Sequence, residues 1–240
     1  MSSQKNAVVL LSGGLDSTTA LAIAKDAGFQ IYALSFDYGQ RNRFEVETAR
    51  AIADEYRVCE HRVAKIDLRA FGGSSLTSDA PVEKNRPIEE IGSGIPSTYV
   101  PVRNTLFLSF ALAWAETIPA RDIFIGVNEV DTSGYPDCRP EFIRAFEQLA
   151  QLATRMGTEK PGDPIRVHTP LQRLNKSEII AKGLALGVDY ALTNTCYDPN
   201  EQKAPCGICD ACVLRQRAFL TLGTLDPLPY QTRITASSDL

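Results

Sequence analysis

Apolar residues in this chain come as short unbroken runs and as longer stretches in which they recur every three or four positions, and the two kinds alternate. Residues 7–11 form an unbroken run, the pattern of a strand buried on both faces. Residues 17–27 follow with helical composition and a stop at Gly28. The unit then recurs: 31–36 is strand-like, and 41–56 is helical, with Phe44, Ala49, Ile52, Ala53 and Tyr56 along one stripe. A third strand is expected over 59–66. Between 71 and 100 the chain is rich in Gly, Ser and Pro, and this long connection is a candidate lid over a binding site. The alternation resumes with a helix over 104–117, a strand over 122–127, a helix over 140–155 and a strand over 165–168. A last helix is opened by Asn175 or Ser177 and stopped by Gly187. This order predicts an α/β fold: a parallel sheet with helices on both faces, right-handed crossovers, and ligands at the carboxyl ends of the strands.

Length and composition change that picture little. The 240 residues, 44% hydrophobic and 22% charged, suit one main globular domain. No run approaches the ~18–20 apolar residues of a membrane span, and the start lacks the features of a signal peptide, so a cytoplasmic protein without membrane contact is expected. A net charge of −4 does not favour nucleic acid as partner. Six cysteines without an export signal do not read as a disulfide framework.

Chemistry concentrates in two places. The stretch "SGGLDS" lies where a strand ends and a helix begins, so free backbone N–H groups and the helix dipole make an anion site. Gly13 and Gly14 admit phosphate oxygens to the main chain, and Ser12, Ser17 and Thr18 can add hydroxyls. The alternative is an ordinary Gly-Gly turn capped by Asp16 or Ser17. Neither G-x-x-x-x-G-K-[ST] nor G-x-G-x-x-G is present. The second place is C-x9-C-x2-C-x2-C, formed by Cys196, Cys206, Cys209 and Cys212. Four thiolates so spaced can close a tetrahedron, with structural zinc the first choice and an iron–sulfur cluster the competitor.

Other candidates are weaker taken singly. Arg103 and Asn104 stand at a helix start, where an arginine can meet phosphate or carboxylate, and Lys176 stands at another. In "VNEVDTSGYPDCRPEF", Asp131 or Asp137 with Tyr135 could accept the adjacent N–H donors of a guanine-like ring and stack on its face. Cys138 reads as a packed thiol, Cys59 as core, and His61 and His168 as structural.

The string S-G-G-x-D-S resembles the pyrophosphate-binding loop of the N-type ATP pyrophosphatase (PP-loop) superfamily. "LSGGLDSTTA", "FDYGQR", "TYVPVRNT", "GYPDCRPEF" and "CYDPNEQKAPCGICDAC" together resemble the 7-cyano-7-deazaguanine synthase family, in colinear order from about residue 7 to 219. The resemblance implies a Rossmann-like sheet of the adenine nucleotide alpha hydrolase type over 1–190, a zinc-binding helical segment over 191–225 packed on it, and a tail over 226–240 whose end, "TASSDL", is expected to fray. It implies a ligase that uses two ATP to turn 7-carboxy-7-deazaguanine and ammonia into the nitrile through adenylated acid and amide, for queuosine precursor biosynthesis. ATP would contact Leu10, Leu11, Ser12, Gly13, Gly14, Leu15, Asp16, Ser17, Thr18, Thr19 and Ala20. Ser12, Asp16, Arg103 and Lys176 would serve catalysis, with Asp16 on magnesium. Asp131, Tyr135, Asp137 and Arg139 would hold the acid, and the four clustered cysteines one zinc per chain in a homodimer. The sequence departs from the family where Asn42 replaces a usual histidine and where Asn194 and Thr195 replace a serine and a tryptophan. A tRNA-modifying relative and a nucleotide sensor without catalysis are the rival readings.

Overall fold

A computed structural model of the chain describes residues 5–234, so "TASSDL" lies outside the described residues. Five strands, β1 (Asn6–Leu10), β2 (Gln30–Asp37), β3 (Glu60–Lys65), β4 (Asp122–Phe124) and β5 (Arg166–His168), form one parallel sheet in the order β3-β2-β1-β4-β5. The helices are α1 (Leu15–Asp26), α2 (Glu45–Glu55), α3 (Arg103–Thr117), α4 (Glu129–Gly134), α5 (Pro140–Ala153), α6 (Arg155–Glu159), α7 (Lys176–Ala185) and α8 (Asp210–Thr221). Among the described residues no helix is long and apolar enough to cross a membrane.

The unbroken run of β1 is explained by two buried faces. Ala7 and Val9, with Leu11 just beyond the strand, pack with Ile31 and Ala33 against α1 and α2. Val8 and Leu10 point the other way, with Leu34 and Phe36, against Leu108, Ala111 and Leu112 of α3 and Ile143 and Phe146 of α5. Helices therefore cover both faces. A further layer, α7 and α8, lies on α1 through Ile179, Ile180 and Phe219. Strand order reverses between β1 and β4, and the crevice at that switch point is where open α/β sheets bind ligands.

Several expected boundaries move, each for a local reason. Helix α2 begins at Glu45 instead of 41 because the Asn42 side chain accepts the Phe44 N–H at 3.1 Å and holds a turn there. Strand β4 ends at Phe124 instead of 127, and the chain bends past α1, where a Cβ on Gly126 would lie 2.9 Å from backbone atoms of Asp16 and Ser17. Thr154 ends α5 and caps α6 by accepting the Gly157 N–H at 3.1 Å. The short helix α4 was not anticipated. Cys59, expected in the core, is exposed: it precedes an edge strand and donates its N–H to the Ile31 carbonyl at 2.8 Å.

The connection 71–100, the candidate lid, lines the switch-point crevice with Leu76, Arg86, Ile91, Pro96 and Thr98 and is also anchored to the cysteine segment. Lys84 pairs with Cys209 in an isolated antiparallel bridge, the Asn85 N–H reaches the Ile208 carbonyl at 2.8 Å, and Arg86 meets Asp210 at 2.8 Å. Residues 226–234 fold back as well. Asp226 is buried against Arg215 at 2.7 Å, and the Gln231 N–H binds the Pro205 carbonyl at 2.9 Å.

Candidate active site

A cavity of about 280 Å³ opens at the carboxyl ends of β1, β2 and β4. One end is the turn from β1 into α1. Gly13 has φ +82°, and a Cβ there would lie 2.8 Å from the Ala49 nitrogen, so both backbone and space require glycine. Gly14 is the N-cap of α1 and supplies no side-chain acceptor, which leaves the first turn's N–H groups for an anion. The cap by Asp16 or Ser17 that the alternative, an ordinary Gly-Gly turn, would use does not form. Instead Ser17 Oγ accepts the Ser12 N–H at 3.2 Å, lies 3.1 Å from Ser12 Oγ, and donates to the Gly14 carbonyl at 3.1 Å. Of the eleven-residue stretch, Leu10, Leu11, Ser12, Gly14, Leu15, Asp16 and Ser17 line the cavity, whereas Gly13, Thr18, Thr19 and Ala20 do not. Thr18 donates to the Gly14 carbonyl at 2.9 Å, and Thr19 to the Leu15 carbonyl at 2.8 Å, so these hydroxyls are engaged with their own helix.

Lys176 reaches this end from the first turn of α7, where Asn175 and Glu178 form a capping box. Its Nζ stands 2.7 and 2.9 Å from the two Asp16 oxygens, and Asn128 Nδ2 donates to Asp16 at 3.3 Å. Asp131 accepts the Asn128 N–H at 3.2 Å in the capping box of α4. Burial raises its pKa to about 6, and the Asp16 charge adds to the rise against the pull of Lys176.

The other end is aromatic. Tyr38, Phe107, Tyr135 and Tyr197 line it; Tyr135 is backed by Tyr99, stacked on it at 5.6 Å, and Tyr38 packs edge-on to Phe107 at 5.5 Å. Arg103 enters from the first turn of α3, over Phe107, with Tyr38, Tyr135 and Glu45 as charge partners. Burial alone would depress its pKa; those groups hold it above the usual value. Burial lifts the Glu45 carboxyl to about 7 although Arg103 and the Gln40 amide pull it down.

The sequence candidates thus divide. Ser12, Asp16, Lys176, Arg103, Asp131 and Tyr135 share one cavity. Asp137 and Arg139 do not line it. Asp137 is buried and accepts the Asn104 N–H at 2.8 Å, stabilising the start of α3, and Arg139 is exposed at the start of α5. Cys138 is a buried thiol receiving Asn104 Nδ2 at 3.0 Å. His61 bonds Ser35 at 2.8 Å and His168 bonds Asp122 at 2.7 Å, both away from the cavity. Glu45, Asn128, Phe107 and Tyr197 line the cavity without having been singled out. Glu45 reads in sequence as one more acidic residue of the helix expected over 41–56, and no spacing distinguishes it.

The sulfurs of Cys196, Cys206, Cys209 and Cys212 all lie within 4.8 Å of one another, and all four residues are buried. The N–H groups of Asp198 and Cys206 point at the Cys196 sulfur at 3.3 and 3.2 Å, as suits thiolates around one metal ion. Asn42 donates its amide to the Cys196 carbonyl at 3.1 Å, and the Asn194 N–H binds the Gly13 carbonyl at 3.0 Å. A Cβ on Gly14 would approach the Thr195 methyl at 3.2 Å. The cysteine segment therefore abuts the phosphate-type loop.

A family profile described as queuosine biosynthesis protein QueC matches residues 6–223. The 7-cyano-7-deazaguanine synthase of Desulfatibacillum aliphaticivorans is 58% identical over 227 residues, covering 95% of this chain and 97% of that protein. That of Geobacter sulfurreducens is 58% identical over 228 residues, covering 95% and 94%. Among solved structures, NMN synthetase from Francisella tularensis is similar with a TM-score of 0.47 and 17% identity, covering 97% of this chain and 79% of that one. With so nearly complete a match, the chain belongs to the queuosine biosynthesis QueC family.

Proposed function

We propose that this protein is an ATP-dependent ligase that converts 7-carboxy-7-deazaguanine and ammonia into 7-cyano-7-deazaguanine, through an adenylated acid, an amide and an adenylated amide. The observation that carries the reading is the single cavity with two unlike ends, one bare backbone at a helix N-terminus and the other aromatic with an arginine. Adenylation makes a good leaving group of a carboxylate oxygen, so the protein's task is to align that oxygen with the α phosphate and stabilise the developing charge. The loop from Ser12 to Ser17 would hold the outer phosphates. Lys176 would move from Asp16 to a phosphate oxygen when ATP enters, and Arg103, at the other end, would orient the acid. Magnesium, held by Asp16 and the nucleotide's oxygens, would supply charge neutralisation at the triphosphate. The four thiolates suit zinc, whose closed tetrahedral site is structural, and the protein is taken to work in the cytoplasm as a homodimer.

The test is incubation of purified protein with magnesium ATP, ammonium and 7-carboxy-7-deazaguanine, read by mass spectrometry. Nitrile with about two AMP and two pyrophosphate per product is expected, since each adenylation releases pyrophosphate and the adenylate then leaves as AMP, once on attack by ammonia and once on formation of the nitrile. Intact acid and no AMP from folded, metal-loaded protein would overturn the proposal, and ATP binding without pyrophosphate release would make the protein a sensor.

A further inference from the structure

Four carboxylates line the cavity, and three are committed. Asp16 is paired with Lys176 at 2.7 Å, Asp131 closes a helix cap, and Asp210 is paired with Arg86 at 2.8 Å. The fourth, Glu45, lines the aromatic end from the first turn of α2, in the same cavity wall as Arg103 from α3 and Tyr38 and Gln40 from the segment after β2. Asp137, the other candidate for meeting a guanine-like ring, is buried on the Asn104 N–H outside the cavity.

A guanine-like edge carries a carbonyl oxygen next to a ring N–H and an exocyclic amino group, an acceptor beside two donors. An arginine beside a carboxylate is the complement of that edge, and the aromatic lining of Tyr38, Phe107, Tyr135 and Tyr197 suits the ring face. We propose that Glu45 selects the deazaguanine ring, accepting its ring N–H and exocyclic amino hydrogens while Arg103 donates to the neighbouring carbonyl oxygen. This rests on the function proposed above and names the residue that sets its substrate class. Glu45 acts by binding and takes no part in adenylation. Because burial holds the empty-site carboxyl near pH 7, ring binding by the charged form releases a proton at lower pH, and affinity falls as pH drops below about 7.

The experiment measures equilibrium binding of 7-carboxy-7-deazaguanine, of the same acid lacking its exocyclic amino group, and of ATP to the full chain. It compares wild type, Glu45→Gln and Glu45→Asp between pH 6 and 8. Glutamine offers one acceptor and one donor to an edge with two donors, so E45Q is expected to bind the acid at least about tenfold more weakly. It should discriminate less against the analogue, lose the part of the pH dependence centred near 7 while keeping any due to Asp131 near 6, and keep wild-type ATP affinity, with E45D between. Unchanged acid affinity and discrimination in E45Q overturn the assignment, as does an equal loss of ATP affinity in both variants. Wild type that binds ATP but not the acid removes the proposed function itself, and this assignment with it.

Discussion

Glu45 shows how one side chain's surroundings become a property of the molecule. Its folded-state carboxyl titrates near 7, above the ordinary value of 4.5. As pH rises from about 4.5 to 7 the unfolded chain ionises and the folded one resists, so this residue lowers stability across that window and holds the loss above it. Replacing Glu45 by Gln should therefore raise the melting temperature relative to wild type at pH 8 and leave it nearly unchanged at pH 4.5. An equal offset at both pH values would contradict the assignment. Nothing in "RNRFEVE" announces this, because the shift comes from burial beneath elements distant in sequence, only partly offset by Arg103 and the Gln40 amide. Val102 is similar: its φ of +58° is rare for a β-branched residue, and the turn that imposes it aims Arg103 into the cavity. Gly13, by contrast, was legible, since a bare backbone after an apolar run has few other uses.

At the scale of elements, the layer of α7 and α8 over α1 depends on a buried joint. Tyr190 Oη lies 2.8 Å from Thr19 Oγ1 and donates to the Ile179 carbonyl at 3.2 Å. A Cβ on Gly183 would stand 1.8 Å from that hydroxyl oxygen. Gly183→Ala is therefore expected to destabilise by about 1–3 kcal/mol, read by denaturant unfolding, because the tyrosine must leave its socket. Since α7 carries Lys176, the same variant should also reduce turnover; a change below about 0.5 kcal/mol would contradict the packing. Gly183 sits in a helix the sequence predicts well, yet its necessity is visible only against Tyr190. The Arg215–Asp226 pair, both side chains 1% exposed, is another such joint. Arg215→Ala should cost about 3–5 kcal/mol by leaving Asp226 buried without its cation, measured by the same unfolding experiment.

Over the whole molecule, the cysteine cluster, the 71–100 connection and the phosphate-type loop form one continuous structure. Lys84, Asn85 and Arg86 are bound to Asp198, Ile208 and Asp210, which fall in the three intervals between the cysteines, while Asn194 holds Gly13. Removing the metal should therefore loosen more than its own ligands. Chelation is expected to expose the four clustered thiols to a thiol reagent, open 71–100 to limited proteolysis and weaken ATP binding; unaltered proteolysis there would show that the connection holds without the metal. That connection carried the lid expectation because its composition signals a loop. Composition could not register that the loop is tied down by a segment more than 100 positions further along.

What the sequence determined by itself was local or repetitive: the strand-helix alternation, both faces of β1, the glycine turn, and four cysteines spaced for one metal. These follow from the period of the backbone and the reach of a few residues, which no distant partner alters. What only the tertiary structure decided was which carboxylate faces which cation. Asp131, Asp137 and Glu45 are equivalent on paper, yet one closes a cap beside Lys176, one stabilises the start of α3, and one looks into the cavity at Arg103. The physical reason is that burial and charge pairing depend on distances across the sheet, and those are set only when α2, α3 and α4 converge on the carboxyl ends of its strands.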